Sequence, residues 1–241
     1  MLGELGRHYR VGWIEAIGTD PGYPVSEGWP HLVSQLIDEI ARARQGAPVY
    51  AVGHSLGGYL TLLAALRRPD LFRAIVLLDA PVIGALRGRM LGATKRLGIV
   101  DRVTPAGAVR DRRSHWDSRA QARQHFRTRR LFRNFTEQCL DDYVRHGLVE
   151  RDGALRLRID PAIEYQIYRT IPHHMSRGLR SLGVPAGFIG GERSDVVRRA
   201  GLAATRKVCA LRTVAGGHLF PLEHPLEAAA AVVGLLGELV R

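Results

Sequence analysis

The stretch PVYAVGHSLGG, residues 48–58, decides the fold. Its first half is a short run with β-branched and aromatic residues that is apolar on both faces, which predicts a strand buried from both sides. Its second half opens a run, Leu56 to Arg68, that is apolar nearly all round and stopped by Pro69, which predicts a buried helix. Between them Gly53-His54-Ser55-Leu56-Gly57 fits G-x-S-x-G. Turning from strand to helix in so few residues forces the residue at the apex into a strained backbone, and small residues two before and two after it keep the segments from colliding. Such a turn lifts the Ser55 hydroxyl above the sheet. It also places that hydroxyl at a helix N-terminus, where the dipole favours developing negative charge, and positions the Leu56 N–H to donate to an oxyanion.

Working outward, the same alternation recurs on both sides. Residues 10–17 (RVGWIEAI) read as a short strand closed by Gly18, Asp20, Pro21 and Gly22. From Pro30, the residues Leu32, Val33, Leu36, Ile37 and Ile40 repeat at helical spacing, and that helix ends near Gly46. Residues 74–78 (AIVLL), 185–189 (PAGFI) and 210–214 read as further strands, and an Ala/Leu/Val helix runs from Pro225 onward. Strands without a polar face, separated by helices, imply an α/β fold: a mostly parallel sheet covered by helices on both faces. Residues 84–181 lose the strand signal and read as an inserted helical, Arg-rich segment. The core is then residues 1–83 with 182–241.

The chain has 241 residues, of which 46% are hydrophobic and 24% charged, enough for a sizeable packed core and unlike a disordered or disulfide-stapled chain. No apolar run approaches the roughly 20 residues of a membrane span. The opening MLGELGRHYR carries charge early and lacks an apolar core of a secretory signal, so the chain reads as cytoplasmic. Cys139 and Cys209 lack metal or disulfide spacing and read as reduced thiols. Net charge is +12, and residues 84–180 hold 21 Lys+Arg against 10 Asp+Glu. That insert reads first as a solvated cationic face; Arg112 or Arg113 could also draw in an anionic small-molecule substrate. It lacks a recognisable base-reading motif, so no nucleic-acid partner is expected.

A serine hydroxyl needs a base, and in this order of elements a histidine must follow it in the chain. Of ten histidines, His218 alone lies in a glycine-loosened loop, Ala215-Gly216-Gly217-His218-Leu219-Phe220-Pro221, between the last strand and the last helix. His54 reads as a hydrogen-bonding neighbour of the turn and His224 as a cap of the terminal helix. His173-His174 lack a third ligand at useful spacing, so no metal is expected. Two carboxylates at strand ends could orient His218. Asp195 follows the penultimate strand, the commoner place for the acid, and is preferred; Asp79 ends the strand at 74–78 and is the alternative.

The G-H-S-L-G-G turn, the G-G-E-R-S-D turn at 190–195 and the G-G-H-L-F-P loop at 216–221 make the chain resemble the α/β-hydrolase family, in the form with a helical cap inserted after the strand that follows the nucleophile helix. The resemblance implies a serine hydrolase cleaving an ester or related carbonyl substrate through an acyl-enzyme, without a cofactor. It implies Ser55 as nucleophile, His218 as base, Asp195 or Asp79 as acid and the Leu56 N–H as half of the oxyanion hole. The family acid often lies three residues after the glycine, where this chain has Ser194. The opening strands and the H-G loop that supplies the family's second oxyanion donor have no counterpart here. Either the chain reads as truncated or another segment, around Gly18 to Gly22, fills that gap; the alternative function is a weak or inactive binding protein on a hydrolase scaffold.

Overall fold

A computed structural model describes residues 1–110, 112–151 and 153–241. After a short α1 (Leu2–Leu5), the amphipathic run with Pro30 in its first turn forms α2 (Pro30–Ala43), and the deciding stretch forms β1 (Val49–His54) and α3 (Leu56–Arg67). β2 (Phe72–Leu78) follows. Next come α4 (Ala85–Arg96), α5 (Val100–Val103), α6 (Ala106–Arg110), β3 (His115–Trp116), α7 (Arg119–Arg127), α8 (Glu137–His146), β4 (Leu148–Arg151), β5 (Ala154–Leu157) and α9 (Pro161–Arg169). The chain then returns through β6 (Ala186–Gly191), α10 (Asp195–Ala200), β7 (Ala210–Val214), α11 (Phe220–Glu223) and α12 (Pro225–Leu239).

β1, β2, β6 and β7 form one parallel sheet in the order β1-β2-β6-β7. β2 shows why a strand apolar on both faces is needed. Its Ile75 and Leu77 pack with Leu32, Leu36, Leu60 and Ala64 of α2 and α3, whereas Ala74, Val76 and Leu78 pack with Ala228, Val232 and Leu235 of α12. Because all four strands run the same way, their C-terminal ends gather at one edge. Ser55, Asp79 and Ser194 follow three of these ends, and the loop carrying His218 follows the fourth.

Two expectations fail. Residues 10–17 are not a strand. The residues that pack inward there, Val11, Ile14 and Ile17, recur every third position instead of alternating, and they split between the two layers without joining the sheet. The segment between β2 and β6 is not purely helical: β3, β5 and β4 form a small antiparallel sheet, with His115↔Arg156 and Leu148↔Leu157 in register. Those strands are too short to raise a periodic signal. The segment has its own core of Trp116, Phe126, Phe132, Phe135, Leu140 and Leu155, against which Leu219 and Leu222, just past His218, are packed.

Candidate active site

The turn after β1 is built by exclusion. Ser55 has φ 51° and ψ −116°, a conformation that side chains rarely adopt. A Cβ on Gly53 would lie 2.3 Å from the Gly57 carbonyl oxygen, and one on Gly58 would lie 2.5 Å from the Ala80 Cβ. A Cβ on Gly57 would meet nothing within 4 Å. The two positions that must lack a side chain are therefore 53 and 58, not the 53 and 57 of the motif spacing. The Leu56 N–H opens α3, where the helix offers it no carbonyl partner.

Ser55, His218 and Asp79 are brought together. His218 Nε2 lies 3.1 Å from Ser55 Oγ, and His218 Nδ1 lies 2.7 Å from Asp79 Oδ2. A carboxylate only accepts, so Nδ1 carries the proton, and Nε2 is left as the acceptor facing the serine. Asp79 is fully buried and has φ 48°. Its Oδ1 accepts from the Gly191 N–H at 2.8 Å, and its Oδ2 also accepts from the Ser194 hydroxyl at 2.5 Å. Three donors thus converge on one buried carboxylate, the condition for keeping its charge in the interior.

Asp195, the preferred acid from the sequence, is not in this cluster. It lies in the first turn of α10, half exposed, and its partner is Arg198. The physical reason lies in Ser194. That residue occupies the N-cap of α10, its hydroxyl accepting from Val197 N at 3.2 Å while donating to Asp79. The position that faces the histidine is filled by a hydroxyl, and the adjacent strand, β2, delivers the carboxylate. Ser194 and the Gly191 N–H are the functional contacts that sequence reasoning did not assign; a serine at the usual place of the acid was the available signal.

His54 Nε2 is 2.8 Å from the His218 carbonyl oxygen, so that nitrogen bears the proton and donates. Burial first, then the nearby His218, lower the His54 pKa to about 4. The unfolded chain takes up this proton below about pH 6.5 and the folded chain does not, so stability held above that pH is lost as pH falls toward 4. Comparing urea unfolding of wild type and His54→Gln, the stability advantage of the wild type is expected to shrink by about 3 kcal/mol between pH 7 and pH 4. A pH-independent difference would contradict this. His224 stands at the N-cap of α12 without a side-chain cap bond, its Nδ1 lying 3.7 Å from Glu227.

Other expected contributors are engaged elsewhere. The Gly18 N–H donates to Gln35 Oε1 at 3.1 Å and the Gly22 N–H to Asp20 Oδ1 at 2.8 Å, so neither is available to an oxyanion. Arg112 is ion-paired with Glu164, whose carboxyl is held above the usual range by burial. Arg113 bonds the His115 carbonyl and Gln121 and lies over the Trp116 ring. Each thus has a partner within the segment. His173 and His174 face each other at 3.8 Å between ring centroids, and no group of three or more potential ligands is placed to hold a metal among the described residues. Both cysteines are free thiols, and burial pushes Cys209 up to about 12. No helix among the described residues is long and apolar enough to cross a membrane.

Comparison with known proteins agrees with this architecture. A "Monoglyceride lipase homolog" of Monkeypox virus is 29% identical over 86 residues, a match covering 33% of this chain and 31% of that protein. Among solved structures, the peroxisomal alpha-beta-hydrolase Lpx1 of Saccharomyces cerevisiae superposes with a TM-score of 0.67 at 17% identity, over 90% of this chain and 61% of that one. The chain thus spans less than two thirds of either protein's length. E-2-(Acetamidomethylene)succinate hydrolase gives a TM-score of 0.71 at 21% identity over 92% of this chain and 78% of that one. A Mycobacterium tuberculosis esterase gives 0.62 at 21% identity, over 86% and 68%. At these identities the structural likeness speaks for the fold. A model of the Alpha/beta hydrolase family matches residues 6–232, nearly the whole length, and the chain therefore belongs to that family.

Proposed function

We propose that this hydrolase-family chain cleaves a carboxylic ester of a small molecule through a serine acyl-enzyme, with Ser55 as nucleophile, His218 as general base and acid, and Asp79 as the carboxylate that orients His218. The observation that carries the reading is the continuous hydrogen-bonded run Ser55 Oγ, His218 Nε2, His218 Nδ1, Asp79 Oδ2. In the first half-reaction Ser55 gives its proton to His218 Nε2 as Oγ bonds to the ester carbonyl carbon. The resulting oxyanion is received by the Leu56 N–H. Collapse expels the alcohol, which takes the proton from His218. A water then gives a proton to His218 as its oxygen bonds to the acyl carbon; collapse breaks the bond to Ser55 Oγ, which takes that proton back from His218, and the acid is released. The ester class is supported by two similar proteins, an esterase and a monoglyceride lipase homolog. The segment at 84–181 is the cap in this reading; Leu219 and Leu222, packed on its core, tie it to the loop that holds His218.

A second reading, a binding protein on a hydrolase scaffold, is favoured by the engagement of Gly18 and Gly22, which leaves the Leu56 N–H without a companion from that loop. Loss of one donor typically costs about a hundredfold or more in rate. A fluorophosphonate probe separates the two. Covalent labelling of the folded protein at Ser55, absent in Ser55→Ala, is expected; unlabelled wild type would favour the binding protein.

A further inference from the structure

α4 is turned inside out. A helix that covers a domain ordinarily directs its apolar stripe inward. The inner face of α4 is instead Gly88, Gly92 and Lys95, at spacings of four and three. A Cβ on Gly88 would lie 2.2 Å from the His173 carbonyl oxygen, and one on Gly92 would lie 2.9 Å from the His173 ring. Lys95 is anchored by the Ile171 carbonyl at 2.7 Å and by Glu27 at 2.5 Å. The opposite face carries Leu86, Met90 and Leu97, with Ala93 between the last two, on one line along the helix. Leu86, Met90 and Leu97 are 64%, 62% and 71% exposed, and Val103 on the next helix is 54% exposed. These large side chains lie in water although the helix is held by its small ones.

The flanks of that line are cationic. Arg87 lies on one side and Arg89 and Arg96 on the other, and the helix sequence ALRGRMLGATKR contains no acid. None of these three arginines forms an ion pair among the described residues. Beside the first turn a cleft of about 990 Å³ is lined by Arg87, Arg180 and Lys207 together with Leu86 and Val208, without a carboxylate. We infer that the exposed face of α4 docks on an anionic lipid bilayer, its leucine and methionine side chains entering the headgroup–acyl boundary, its arginines meeting lipid phosphates, and the cleft offering a recess for one headgroup. The partner must be apolar along one line and negative on both sides of it, over the roughly 18 Å of a twelve-residue helix. A lipid surface supplies both at once. A nucleic acid supplies only the charge. A second copy of this chain would bring the same arginines against each other in a molecule of net charge +12.

The inference does not depend on the proposed reaction, because Ser55→Ala docks equally well in it. It is tested by flotation of the full chain with phosphatidylcholine vesicles, with and without phosphatidylserine. Retention is expected only with phosphatidylserine. Leu86→Ser combined with Met90→Ser and Leu97→Ser should weaken it at least about tenfold, with the melting temperature and ester turnover in solution unchanged. Each of Arg87→Glu, Arg89→Glu and Arg96→Glu should weaken it about fivefold or more. Absence of retention, equal retention on both vesicle types, or full retention of the triple serine variant would overturn the inference. So would a dimer in light scattering that the serine variant dissociates, since the face would then belong to a second copy.

Discussion

Ser55→Ala is expected to lower kcat toward a short-chain activated ester by at least about 10⁴-fold while leaving the melting temperature unchanged. The loss follows from position. The Ser55 hydroxyl is the group that His218 Nε2 faces, and what survives its removal is one N–H at Leu56 and a base with no nucleophile to activate. Water could enter the vacated space, but it would lack the pre-set geometry that makes attack effectively unimolecular. Cys209, held near 12 by burial, is not ionised at working pH and offers no replacement. Stability should be untouched for a specific reason. The Ser55 side chain makes no cap bond to α3, and alanine at φ 51° bears the same backbone strain as serine. Turnover by Ser55→Ala within about tenfold of wild type would remove Ser55 from the mechanism, whereas an inactive variant with a lowered melting temperature would point to a structural role for the hydroxyl.

The scaffold was legible because parallel strands buried on both faces read as short apolar runs without alternation. The runs at 74–78 and 186–191 are buried throughout, and the chain leaves the first at Asp79 and ends the second on Gly190-Gly191, beside the site. The tight turn at Ser55 was legible for the same reason, although the sequence misassigned which glycine does the work: Gly57 fits the motif, but Gly58 is the one pressed against Ala80. Two kinds of feature were not legible. Residues 10–17 are composed like a strand, and only their threefold packing rhythm betrays that they join no sheet. The carboxylate that meets His218 was hidden by topology. β2 and β6 are hydrogen-bonded neighbours, so the residues that follow both strands reach the same point in space, and no local pattern says which of the two carries the carboxylate. The left-handed backbone at Asp79, which swings its carboxylate over β6, is a property of the packed structure.

That ambiguity makes Asp79 the more informative substitution. The three groups pointing at its carboxylate, the Gly191 N–H, the Ser194 hydroxyl and His218 Nδ1, all donate. Asparagine has a single accepting oxygen. Turned toward Gly191, it presents its NH₂ to Ser194 and His218; the serine hydroxyl can rotate to accept, but the imidazole can accept only by moving its proton to Nε2. Nε2 then faces Ser55 as a donor and cannot take the serine proton. Turned the other way, the NH₂ meets the Gly191 N–H, and two buried donors oppose each other. In either arrangement the charge that stabilises the imidazolium is gone. Asp79→Asn is therefore expected to reduce kcat about 10⁴-fold. Because a wrong tautomer is the cause, part of the activity should return at high pH. Asp195→Asn removes only a half-exposed pair with Arg198, an interaction of at most about 1 kcal/mol, and should leave kcat within about twofold of wild type. The opposite outcome, an active Asp79→Asn and an inactive Asp195→Asn, would mean that in the working enzyme the residues after β6 rearrange to bring Asp195 to His218. That rearrangement would have to break the Ser194 cap of α10 and leave Asp79 buried without its partners, so unfolding measurements on the two variants would register it independently of rate.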